Sequence, residues 1–129
     1  MTLSVTILGC GSSSGVPTVG NNWGKCNPKN KKNYRLRSSI LVEYKNTVIL
    51  VDATPDLRQQ LINAKVKKID GVLITHSHAD HIHGVDDFRF LNIVMNKFID
   101  LYTNTETLDQ IKKKFGYIFE KLHPNAKGF

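Results

Sequence analysis

The sequence predicts an α/β fold of the layered kind, and three observations carry that reading. Short β-branched runs alternate with helix-type periodicity, in the order strand, hairpin, helix, strand, histidine-rich loop, helix, strand, helix. One run, Gly71-Val72-Leu73-Ile74-Thr75, is continuously apolar, as expected of a strand buried on both faces. A histidine cluster follows it directly, and α/β sheets place their ligands just past the carboxyl ends of strands.

The elements follow in chain order. Leu3 to Leu8 alternates and reads as a strand. It runs into the tight loop Gly9-Cys10-Gly11-Ser12-Ser13-Ser14-Gly15, and then into a long loop over residues 16–36 that carries Pro17, Gly20, Gly24 and Pro28. Ser39 to Tyr44 and Thr47 to Val51 are apolar runs split by Lys45-Asn46. Asn46 tolerates a left-handed backbone, so a hairpin is expected. Thr54-Pro55-Asp56 reads as a helix start, with Thr54 as the N-cap, Pro55 at the first helical position, and Leu57, Leu61 and Ile62 as the apolar face. Phe98 to Tyr102 is a further strand candidate. Thr105 to Leu122 reads as a helix capped by Asn104 or Thr105, with Leu108, Ile111, Phe115, Ile118, Phe119 and Leu122 on one face.

The composition is that of a single globular domain over residues 1–129, with 40% hydrophobic and 22% charged residues. No apolar run approaches the roughly 20 residues of a membrane span, and Met1 to Val5 lacks the form of a signal peptide, so a cytoplasmic protein with no membrane partner is expected. Cys10 and Cys26 do not make a disulfide framework, and a structural zinc site at Cys26 would lack its other thiolates. The net charge is +7. Lys25, Lys29, Lys31, Lys32, Arg35 and Arg37 occupy residues 25–37 without an acid among them. Such a run either attracts phosphate or nucleic acid or is a solvated loop. Only Trp23 and Tyr34 accompany it, which gives little support for base stacking. A nucleic-acid partner is therefore the less favoured expectation.

The chemistry lies in His76-Ser77-His78-Ala79-Asp80-His81, followed by His83, so that four of the five histidines fall in residues 76–83. Imidazole and carboxylate together suit borderline divalent cations. At this chain's composition such a motif arises by chance with a frequency on the order of 4 × 10⁻⁴. On a loop leaving a strand, His76 and His78 can point the same way, while Asp80 and His81 turn to a second point. Two metal ions about 3.5–4 Å apart would share a bridging water there. Asp80 can be read as a ligand or as a general base, and its spacing favours ligation. The glycine–serine loop is either a structural turn or a source of backbone N–H groups for phosphate.

The motif resembles the signature of the metallo-β-lactamase superfamily. Its flanks, Gly9 to Pro17, Asn33 to Ser39, Val51 to Arg58 and His83 to Arg89, resemble the branch near the phosphoribosyl cyclic phosphodiesterases. The resemblance implies an αββα sandwich, of which this chain looks like the N-terminal half, a mixed sheet with flanking helices. It implies two divalent metal ions, zinc or alternatively manganese. His76 and His78 would bind the first, and Asp80 and His81 the second. Asp52 would support the histidine loop from behind, and His83 would serve substrate contact or proton transfer beside Asp80.

In the family a third histidine for the first metal, a bridging aspartate and a last histidine for the second come from later in the chain. Here only His123 follows His83, and it reads as a helix-end residue. Each metal is thus expected to have two protein ligands where a catalytic zinc takes three. The half-sheet is expected to expose an apolar face that invites self-association or a complementing chain. The functional expectation is a metal-dependent hydrolase of a small cyclic or nucleotide-like phosphodiester. An inactive half-domain or an RNA-processing relative that binds nucleic acid are the alternatives.

Overall fold

In the computed structural model, which describes residues 2–120, the β-branched runs pair into one five-stranded sheet whose strands lie in chain order. β1 (Ser4–Gly9), β2 (Ser39–Tyr44) and β3 (Thr47–Val51) form an antiparallel meander, and β4 (Gly71–Leu73) and β5 (Asp100–Tyr102) extend it in parallel. The parallel steps need crossovers. α1 (Leu57–Asn63) supplies the first, and α2 (Ala79–Ile82) with α3 (Phe88–Met95) supplies the second. α4 (Thr105–Phe115) follows β5 and tightens into a 3-10 turn over Gly116–Phe119. This is the mixed sheet with flanking helices that the sequence leads one to expect.

Side chains alternate across a strand, so register decides which residues share a face. Leu41, Leu50, Val72 and Leu101 lie on one register line. The first three are buried in one core with Leu57 and Leu61 of α1, Ile82 of α2, Phe88 of α3 and Ile111 of α4. The next line, Ile7, Ile40, Val51, Leu73 and Tyr102, belongs to the opposite face. On it Ile7 is 68%, Leu73 44% and Tyr102 54% exposed, so an apolar stripe crosses all five strands without a covering layer among the described residues. Leu73 therefore corrects the reading of its run as buried on both faces; only Val72 and Ile74 of its neighbours point into the core.

Several local expectations shift. The β2–β3 hairpin has the expected bounds, but Lys45, not Asn46, takes the left-handed backbone, with φ +53°. α1 starts at Leu57 rather than after Thr54. Thr54 Oγ1 accepts from the Asp56 N–H at 3.1 Å and donates to Gln60 Oε1 at 2.9 Å, which makes a capped turn ahead of the helix. Ile62 is exposed, and Gln60 takes its expected place inside because its amide also donates to the Arg37 carbonyl at 2.8 Å. Asn104 is the N-cap of α4, its side chain accepting from the Thr107 N–H at 2.8 Å. Leu122 and His123 lie outside the described residues. No helix among the described residues is long and apolar enough to cross a membrane.

The sheet end where Gly9 pairs with Ser39, and where Val51, Leu73 and Tyr102 share the line of Ile40, gathers the connections that matter. Gly84, just past the histidine motif, docks there. Its N–H donates to the Ala53 carbonyl at 2.9 Å, and a Cβ on it would overlap the Thr54 carbonyl and stand 2.7 Å from Leu57 Cβ. Gly84→Ala should therefore lower stability by about 1–3 kcal/mol through overpacking, read from urea denaturation. A variant as stable as the parent would contradict this docking.

Candidate metal centre

Two strand ends build the centre. β3 ends at Val51, and Asp52 follows with φ +64°, a left-handed conformation that aspartate tolerates better than most residues. Its N–H donates to the Leu73 carbonyl at 2.8 Å, and its buried carboxylate is turned toward the segment that leaves β4. There it accepts from the Thr75 N–H at 2.8 Å and from Thr75 Oγ1 at 2.9–3.0 Å. His81 Nδ1 meets the same carboxylate at 2.7 Å. The loop is also tied through its backbone, with the Ala53 N–H donating to the His81 carbonyl at 2.8 Å. A short helix, α2, starts at Ala79 and carries Asp80 and His81 in its first turn.

The four motif side chains come together as two pairs of donor atoms. His76 Nε2 and His78 Nδ1 are 3.1 Å apart. Asp80 Oδ2 and His81 Nε2 are 3.2 Å apart. The His76 and His81 rings lie 4.0 Å apart between centroids, so the two pairs are neighbours. His83 is not part of this grouping: its exposed ring stands edge-on to Phe115 at 5.5 Å.

A metal can be tested against this geometry. Because a carboxylate only accepts, His81 carries a proton on Nδ1, and its Nε2 is aimed at Asp80 Oδ2. Two such acceptor atoms at 3.2 Å need a proton or a cation between them. Zinc bonds of about 2.0–2.1 Å in a tetrahedron place neighbouring ligand atoms roughly 3.3–3.4 Å apart, close to both pair separations. Nitrogen and carboxylate donors also suit zinc. Among the described residues no three His, Cys, Asp or Glu side chains are grouped to hold an ion, so an ion at either pair would take two of its ligands from these side chains. The residues fit a divalent cation at each pair.

Other contacts around the loop have no signature in the sequence. Lys114 of α4 reaches the Ser77 carbonyl at 3.4 Å. Asp86 accepts from Tyr117 Oη at 2.7 Å and from Arg89 Nη2 at 2.8 Å. With the His83–Phe115 contact, these fasten the end of α4 to the histidine segment. The glycine–serine loop leaves the same sheet end, but its Gly11 and Gly15 N–H groups already donate to the Leu36 and Ser12 carbonyls, so these two are not available to a phosphate. Arg37 pairs with Asp56 at 2.8 Å, while Lys25, Lys29, Lys31 and Lys32 are exposed on the long loop between β1 and β2. Cys10 and Cys26 are free and exposed.

Comparison with known proteins gives concordant results. The family model described as the β-lactamase superfamily domain matches residues 47–128. A solved diphosphatase of the PhnP family is 38% identical, with a TM-score of 0.84 over 95% of this chain and 49% of that one. Zn²⁺-bound PqqB from Methylobacterium extorquens, at 24% identity and a TM-score of 0.66 over 87% of this chain and 40% of that one, shares the fold. Among curated relatives, an octanoyltransferase of Porphyromonas gingivalis is 37% identical over 89% of this chain but only 23% of its own length. Ribonuclease Z of Alkaliphilus oremlandii is 34% identical over 64% of this chain and 22% of its own length. The chain thus spans about a quarter of these curated relatives and half or less of the solved structures.

The Asp86–Tyr117 contact has a pH signature. The Tyr117 hydroxyl, followed by Arg89, holds the Asp86 carboxyl below its ordinary range, and Asp86 in turn pushes the Tyr117 phenol up. A lowered carboxyl stabilises the fold above its unfolded range and loses that contribution as pH falls through the folded value. A raised phenol stabilises below its ordinary range and loses that contribution as pH rises. Asp87, pushed up by burial and then by Asp86, works against Asp86 on the acid side. Tyr117→Phe should therefore flatten the alkaline fall in melting temperature and make the acid fall shallower, at a cost near neutrality below about 1 kcal/mol for so exposed a contact. Unchanged acid and alkaline limbs would rule out the latch.

Proposed function

This chain belongs to the β-lactamase superfamily, and on that premise we propose that it is the metal-binding part of a hydrolase that cleaves a small cyclic or nucleotide-like phosphodiester. The observation that carries the proposal is the pairing of donors, His76 with His78 and Asp80 with His81, at separations fit for shared cations. His76 Nε2 and His78 Nδ1 would hold one ion, and Asp80 Oδ2 and His81 Nε2 the other. Zinc is the first choice on donor type and on the Zn²⁺-bound PqqB neighbour, with manganese as the alternative. Divalent ions bound there supply acidified water and charge stabilisation at phosphoryl oxygens.

The chain's own residues do the rest. Asp52 fixes the orientation of His81 so that Nε2 faces inward. With its carboxylate engaged as a ligand, Asp80 is not needed as a general base. His83, exposed two residues past His81 and packed edge-on against Phe115, would serve substrate contact or proton transfer in this reading. The cationic loop leaves the sheet at the same end as the histidines and raises the local concentration of anions. The diphosphatase neighbour supports a phosphorus-containing substrate. Donors beyond the four would come from polypeptide outside residues 2–120.

Two observations favour other outcomes. The uncovered stripe Ile7-Ile40-Val51-Leu73-Tyr102 favours a half-domain that becomes active only when paired with another chain. The net charge of +7 and the ribonuclease Z match favour RNA as substrate. Sedimentation separates the first, because a stable monomer with stoichiometric zinc contradicts it. Salt separates the second, because polyanion binding weakens steeply as salt rises. For the main reading, zinc content and turnover of bis(4-nitrophenyl) phosphate are measured together. His78→Ala should lose zinc and lower turnover by about two orders of magnitude or more. No zinc above background in the parent chain, or turnover indifferent to His78→Ala, rejects it.

A further inference from the structure

We infer that Thr75 is a positioning residue that extends the reach of Asp52 to a second histidine, so that one buried carboxylate selects the free ring nitrogen in both donor pairs. The inference rests on the metal-binding reading above for its purpose, though not for its geometry. Thr75 Oγ1 lies 3.0 Å from Asp52 Oδ1, 2.9 Å from Asp52 Oδ2 and 2.9 Å from His76 Nδ1. A hydroxyl has one proton, and a carboxylate can only accept. If that proton pointed at His76, hydroxyl and carboxylate lone pairs would face each other at hydrogen-bond distance. The proton therefore goes to Asp52, and His76 Nδ1 must donate to the hydroxyl.

The consequence is a fixed tautomer. A neutral His76 with its proton on Nδ1 presents a lone pair on Nε2, the atom that faces His78 Nδ1 at 3.1 Å. His81, bonded directly to Asp52 through Nδ1 at 2.7 Å, presents Nε2 to Asp80 in the same way. One histidine of each pair is thus set by the same carboxylate, directly for His81 and through a hydroxyl for His76. The Asp52 side chain is only 7% exposed, so water competes poorly for these bonds. The Thr75 N–H donates to Asp52 Oδ1 at 2.8 Å as well, which holds the relay residue by its backbone whatever its side chain.

Valine keeps the shape of threonine and removes the hydroxyl, whereas serine keeps the hydroxyl. The test is ¹⁵N spectroscopy of histidine-labelled, zinc-free protein at a pH where imidazoles are neutral. In the parent chain His76 and His81 should both be Nδ1–H tautomers. Thr75→Val should move His76 toward the Nε2–H form and leave His81 in place, and Thr75→Ser should restore His76. Zinc affinity, from chelator competition, should fall roughly 10- to 100-fold in Thr75→Val and recover in Thr75→Ser. His76 found as Nε2–H in the parent chain, or a tautomer indifferent to Thr75→Val, overturns the inference. The parent spectrum alone decides this even if the valine variant does not fold. A parent chain with both Nδ1–H tautomers but no affinity for zinc upholds the relay while rejecting the metal-binding reading.

Discussion

The arrangement depends on one buried carboxylate held at the junction of two parallel strands. Asp52 sits at the end of β3 in a left-handed conformation and collects a backbone N–H, a hydroxyl and an imidazole N–H. A buried carboxylate without partners costs several kcal/mol, so the fold tolerates Asp52 only while the segment after β4 supplies them. The dependence also runs the other way. Thr75 and His76 follow a three-residue strand, and their geometry is determined by what they bond rather than by regular structure, while His81 is carried on the short helix α2. The parallel β3–β4 register, closed by the Asp52 N–H on the Leu73 carbonyl, brings both sides to the same place.

Much of this was legible in the sequence, because the relevant signals are local. Hairpin bounds follow from two apolar runs split by Lys45-Asn46, and α4 begins where Asn104 can cap it. The histidine spacing is itself local, so the pairing of His76 with His78 and of Asp80 with His81 follows from a turn that enters a short helix. The illegible parts depend on distant partners. Asp56 does not cap α1 with its side chain because it is engaged by Arg37, 19 positions earlier. Gln60 rather than Ile62 faces inward because a carbonyl 23 positions away accepts from it. Thr75 looked like the last residue of an apolar run, and its hydroxyl gains meaning only from an aspartate 23 positions back.

The sheet has two faces of different standing. Leu41, Leu50 and Val72 are sealed under α1 to α4, while Ile7, Leu73 and Tyr102 on the other face stay open among the described residues. The donor pairs have the same character, since each offers two ligand atoms where tetrahedral zinc takes four. The chain matches the β-lactamase superfamily model and spans about half of a diphosphatase at a TM-score of 0.84.

Asp52, bonded to Thr75 and His81, organises the donor atoms rather than merely filling a turn. Asp52→Asn tests it most directly, because asparagine tolerates the same left-handed backbone and nearly the same volume while losing the charge and one acceptor. Zinc affinity should fall roughly 10- to 100-fold with the circular dichroism spectrum unchanged. Affinity equal to that of the parent chain in a folded variant would contradict the account.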